Sequence, residues 1–180
     1  MRAGVSYCAT MKRTFGRLSV AAILFLAAGA AAAAGWIVEG RVVGISDGDT
    51  ITVLDYSKTQ HKIRIAGIDA PEGAQAFGER SKQNLSALVF QKGVEARCHK
   101  KDRYGREVCT VYVALRDVGL ERIRTGMAWH YKSYQHEQPT QERLAYRDEE
   151  HAARAARRGL WKDAKPVPPW EFRRTRGIEK

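Results

Sequence analysis

Between Trp36 and Val113 the sequence breaks into five short segments with the two-residue apolar period of β-strands, and only one helix-patterned stretch interrupts them. Ile37, Val38, Val42, Val43 and Ile45 run up to an Asp47-Gly48 turn, after which Ile51 and Val53 alternate with threonines, as a hairpin requires. His61 to Ile68 alternates again and leads into Asp69-Ala70-Pro71-Glu72. Val94 to Cys98 and Val108 to Val113 then flank a charged loop.

The helical stretch is Phe77 to Phe90, with Phe77, Leu85, Leu88 and Val89 gathered on one side and Gly93 as terminator. Two more helices are predicted, a short one over Asp117–Thr125 closed by Gly126 and a long charged one over Gln141–Arg158 ended by Gly159. Beyond them Pro166-Val167-Pro168-Pro169-Trp170 reads as an extended tail. The expected class is α+β, a five-stranded barrel of OB type with about three helices and a groove where strands and loops converge.

A chain of 180 residues has room for one such domain and little else. Its net charge is +11, and residues 1–34 hold four bases (Arg2, Lys12, Arg13, Arg17) and no acid, so +7 belongs to the rest. That surplus suits a polyanionic partner but does not prove one, since a solvated basic surface is the commoner explanation of charge alone. Lys12, Arg13 and Arg17 before an apolar stretch from Val20 through Ala34, ending in small residues, read as an export signal over residues 1–34. The mature protein is expected to begin near Gly35 and to be periplasmic or extracellular; an uncleaved membrane anchor is the alternative.

Cys98 and Cys109 remain after the signal, in a compartment that permits disulfides. If they face each other across a hairpin, a bridge is feasible; two buried free thiols are the other reading. The five histidines lie at spacings that suit no zinc motif.

Three local motifs could carry chemistry. Asp47-Gly48-Asp49-Thr50 taken alone is a hairpin turn, Asp69-Ala70-Pro71-Glu72 a proline turn before a helix, and Asp102-Arg103-Tyr104-Gly105-Arg106 a charged loop. Together they set Arg64, Asp49, Asp69, Glu72 and Arg106 at the ends of neighbouring strands of one barrel. The order D-G-D-T, I-R-I-A-G-I-D-A-P-E, D-R-Y-G-R, then G-M-A-W and a closing G-L-W, resembles the staphylococcal nuclease (thermonuclease) family over about residues 36–162.

That resemblance implies a nuclease domain over residues 35–165 followed by a Pro-rich basic tail, 166–180, and a Ca²⁺-dependent enzyme that hydrolyses DNA and RNA. It implies that Asp49, Asp69 and the backbone carbonyl of Ala70 hold the ion, with Glu72 nearby, directly or through water, and that Arg64, Glu72 and Arg106 are the catalytic residues. Arg103 and Tyr104 resemble the family's basic–aromatic pair beside the substrate. Trp129, Tyr131 and Tyr134 could extend that platform, with core packing the expected fate of Trp129. Products ending in a 3′-phosphate are implied, and a monomer is the default.

The chemistry agrees with the residue types. Calcium takes six to eight hard oxygen ligands, and arginines grip phosphate oxygens bidentately without losing a proton. Two departures stand out: Ala70 replaces the staphylococcal enzyme's threonine, and Arg122 occupies a usually apolar place, so the short helix is expected to pack less deeply or turn an edge outward. The competing readings are a non-catalytic nucleic-acid-binding module and a structural envelope protein with a basic face; the acid and arginine spacing argues against both. A phospholipase-D-type H-x-K-x-x-x-x-D is absent, since Arg106 stands at the acid position.

Overall fold

The computed structural model describes residues 35–177, together with Met1. The export-signal reading of residues 1–34 lies, but for Met1, outside the described residues. The strands are β1 (Trp36–Ile45), β2 (Thr50–Asp55), β3 (Gln60–Ile65), the two-residue β4 (Ile68–Asp69), β5 (Gly93–Lys101), β6 (Glu107–Val113), and the short β7 (Arg116–Asp117) and β8 (Trp129–His130). The helices are α1 (Gly78–Val89), α2 (Val118–Arg124), α3 (Thr140–Ala155) and α4 (Pro169–Arg176), with 3₁₀ turns at Lys132–Glu137 and Gly159–Lys162.

The main sheet runs β3-β2-β1-β5-β6-β7 and closes on itself where β3 pairs in parallel with β6, Arg64 opposite Val108. β1 serves two partners: residues 40–45 pair with β2 and residues 36–41 with β5. Gly40 lies in the overlap, where a Cβ would stand 2.2 Å from the Leu54 carbonyl oxygen. A side chain there would force β1 and β2 apart.

Alternation along the strands points Val38, Val42, Ile51, Val53, Ile63, Ile65, Ala96 and Val111 into the barrel, all buried. Leu85 and Val89 of α1 join the same core. Cys98 and Cys109 are opposite one another on β5 and β6 and are joined in a disulfide. For a closed loop this short such a bridge contributes about 3 kcal/mol.

Two sequence expectations are corrected. Residues beyond Pro168 are not an extended tail: Pro169 takes the first helical position, where its missing N–H is not needed, and Gly177 closes α4 in the left-handed region. Arg122 does not turn α2 outward. It is fully buried, donating to the Ser81, Gly48 and Met127 carbonyls, to Ser81 Oγ and to Asn84 Oδ1 at 2.5–3.1 Å. A dense net of neutral acceptors replaces the apolar contact the position would otherwise make.

A second apolar cluster forms from Trp129, Ala153, Leu160 and Trp161, with Phe77 and Trp170 packed against it. Through Trp170 it fastens α4 to the barrel beside β4 and β8.

Candidate active site

Three segments converge at one end of the barrel. Asp49 ends the β1–β2 turn, its N–H donating to Asp47 Oδ1 at 2.9 Å. Gly48 is required there, since a Cβ would lie 2.4 Å from Ser81 Oγ and 2.6 Å from Ala70 Cβ. The fully buried Asp49 carboxylate accepts from Thr50 Oγ1 and from the Ala70 N–H, both at 3.1 Å, and so ties the turn to the end of β4. Asp69, equally buried, is paired across β4 and β8 with Trp129.

Arg64 stands on β3 opposite Thr50. Its Nη1 lies 2.7 Å from Asp49 Oδ2, off the line of a hydrogen bond, and its Nη2 donates to Asp69 Oδ1 at 3.2 Å and to the Ile68 carbonyl at 3.3 Å. Burial works against the guanidinium charge, but Asp49 and Asp69 more than offset it and raise its pKa. Burial likewise pushes the Asp69 carboxyl up, against the pull of the neighbouring arginines.

The third segment was missed in the sequence reading. Arg173 of α4 places Nη2 2.7 Å from Asp69 Oδ2 and Nη1 3.2 Å from Asp69 Oδ1, and the same Nη1 is 2.7 Å from Glu72 Oε1. One guanidinium therefore spans both carboxylates. Nothing local in the sequence marks a residue 104 positions from its partner.

Arg106 is organised separately. The Asp102 carboxylate accepts from the Tyr104 and Arg106 N–H groups at 2.9 Å and from Arg106 Nε at 2.6 Å, so the loop winds around it. Burial would raise the Asp102 pKa, yet these hydrogen bonds hold it below the ordinary carboxylate range. Arg103 and Arg106 stand 4.9 and 5.4 Å from the centre of the Tyr104 ring, which is half exposed.

Arg64, Arg106, Arg173, Lys100, Tyr104 and Tyr131 are among the residues lining a groove of about 840 Å³, and Asp49, Asp69 and Glu72 are in contact with two of its arginines, Arg64 and Arg173. Tyr134 lines it too, with Lys100 over its ring at 4.8 Å, whereas Trp129 is buried in the second apolar cluster. The structure thus brings Asp49, Asp69, Ala70 and Arg64 into direct contact, links Glu72 to them through Arg173, and sets Arg103, Tyr104 and Arg106 along the same groove.

The donors at the acidic corner are all hard oxygens, the set that suits calcium rather than zinc. Among the described residues the three carboxylates do not gather with ligand atoms within 4.8 Å of one another; that spacing is met by Cys98, Glu107 and Cys109, whose sulfurs are bonded together. Arg173 occupies the space between Asp69 and Glu72. The residues fit a hard cation chemically, with Arg173 as its competitor.

Fold and site define an OB-fold protein with an acidic pocket inside a basic, aromatic groove, equipped to handle phosphodiesters. The family model for staphylococcal nuclease homologues matches residues 62–163. An uncharacterized endonuclease of Haemophilus influenzae is 44% identical over 138 residues, 77% of this chain and 74% of the relative. Protein ParB of Escherichia coli is 39% identical over 91% of this chain and 94% of its own length, and a micrococcal nuclease of Shigella flexneri is 39% identical over 76% and 80%. The chain belongs to the staphylococcal nuclease family.

Proposed function

We propose that this chain, a phosphodiester-hydrolysing nuclease, cuts DNA, RNA or both with calcium and little sequence preference, as an exported monomer. The observation that carries the reading is Arg64, which touches Asp49 and Asp69 and lines the basic, aromatic groove. Asp49, Asp69 and the carbonyl of Ala70 would hold the calcium, with Glu72 at hand. Bound there, the ion supplies positive charge that polarises a phosphoryl oxygen.

The chain's own groups do the rest. Attack on phosphorus increases the charge on its equatorial oxygens, and the guanidiniums of Arg64 and Arg106 grip those oxygens as the charge grows. Glu72 takes the proton of the attacking water; the new P–O bond forms as the bond to the departing 5′ sugar oxygen breaks, that oxygen takes its proton from solvent water, Glu72 returns its own proton to solvent, and the phosphate stays on the 3′ side. Arg103 meets a phosphate and the Tyr104 ring stacks on a base, a contact worth about 1–3 kcal/mol whatever the base. Broad specificity follows.

Export is supported by the apolar run after Lys12, Arg13 and Arg17, and by the Cys98–Cys109 bridge, which suits an oxidising compartment. The assignment of roles is tested by kcat for three variants. Arg64→Ala and Arg106→Ala should each lose at least about a hundredfold. A comparable loss in Glu72→Ala supports Glu72 as the base; a much smaller one reduces it to a group that orients water. If neither arginine variant is impaired, the mechanism is wrong.

A further inference from the structure

We infer that α4 is a latch on the active site: Arg173 is a built-in cation that must leave Asp69 and Glu72 before a divalent ion can use them. The inference rests on the reading of Asp49, Asp69 and Glu72 as the cation site. Its ground is the contact itself, because the Arg173 fork takes both oxygens of Asp69 and one of Glu72. Those are the oxygens that a calcium ion and an attacking water would each require. A guanidinium carries one charge and directs its N–H groups in a plane, so it satisfies the acids in the resting protein without supplying any of the oxygens' chemistry.

The segment that carries Arg173 is held to the rest of the fold by side-chain contacts. Trp170 stacks on Tyr131 at 5.6 Å between centroids and meets Trp129 edge-on at 5.5 Å. Gln75 Nε2 donates to the Val167 carbonyl at 2.5 Å, and Phe172 lines a small crevice with Pro71 and Phe77. Among the described residues α4 pairs with no strand, and its docking includes these contacts, the burial of Pro169 and the Arg173 ion pairs. Arg173 also lines the groove, so on release its charge stays where a polyanion passes.

Cation binding and α4 docking then oppose each other, and the linkage is reciprocal: docking weakens cation binding by the same factor as a bound cation weakens docking. The measurement is direct calcium titration of the full chain by calorimetry, without substrate. Arg173→Ala should bind calcium about tenfold more tightly than the unaltered protein, a coupling of ordinary size, with Arg173→Lys between the two. Calcium added to the unaltered protein should change Trp170 fluorescence and speed trypsin cleavage after Arg173, Arg174 and Arg176.

The latch is overturned if Arg173→Ala binds calcium no more tightly than the unaltered protein, or if calcium leaves fluorescence and cleavage unchanged. Should Arg173→Ala fail to fold, Trp170→Ala, which leaves every acid in place, carries the same expectation and the same refutation. Asp69→Asn separates the two readings. If it binds calcium like the unaltered chain, the cation-site assignment fails; if it abolishes binding while Arg173→Ala has no effect, the latch alone fails.

Discussion

Arg122 is buried among neutral acceptors, and burial pushes its pKa down to about 9 against the pull of Asp49 and Asp47. Its role is positional: by donating to the Gly48 carbonyl it fixes the turn that presents Asp49, and through Ser81 and Met127 it joins α1 to the end of α2. Removing it strands several buried acceptors at about 1–3 kcal/mol each. Arg122→Ala should therefore lose at least about 3 kcal/mol in denaturant unfolding; a loss under about 1 kcal/mol would refute the role. His61 presents a different case, with Asp55 Oδ2 at 3.1 Å and Glu107 Oε2 at 3.2 Å. Burial lowers its pKa, but the two carboxylates outweigh burial and raise it above the ordinary 6.5. Its contribution is thus complete below pH 6.5 and is lost as pH rises through the folded value. Asp55, held down to about 2 chiefly by the hydrogen bond from His61, contributes above 3.8 and loses that contribution as pH falls toward 2. The stability gap between the unaltered protein and His61→Gln should be wider at pH 5 than at pH 9 in denaturant unfolding. A wider gap at pH 9 would contradict the ion pairs. His130, whose pKa burial lowers between Gln138 and Lys132, titrates with the opposite sign but is present in both proteins.

At the scale of elements, the barrel strands were legible because a closed sheet buries one face and the period of two records it. The acids of the site were legible because each sits in a turn whose residue types are constrained: Gly48 by the closeness of Ser81 and Ala70, Pro71 by its turn, and Asp102 by the loop it organises. Two features were not. A buried arginine and a surface arginine have the same letter, so Arg122 on α2 carried no sign of its net of carbonyls. The tail reads as extended because Pro166, Pro168 and Pro169 each break a helix that runs into them. Pro169 at the first helical position, Glu171 in the first turn and Gly177 just past the end are in fact the marks of a helix, and Arg173 on it reaches Asp69 across the whole fold. Local pattern can announce α4. It cannot announce what α4 touches.

For the whole molecule, a positive net charge accompanies a pocket where Asp49 and Asp69 meet Arg64, and Asp69 and Glu72 meet Arg173. In the proposed function that charge would draw a polyanion to the groove the arginines line, and the acids would hold a hard cation. No helix among the described residues is long and apolar enough to cross a membrane. Calcium-dependent cutting is measured by incubating the purified protein with single-stranded DNA, duplex DNA and RNA, in calcium and in a chelator, beside Arg64→Ala. Cutting in calcium should disappear with the chelator and in the variant. Cutting that survives either, or tight binding with no cutting at all, would rule out a calcium-dependent nuclease that works through Arg64.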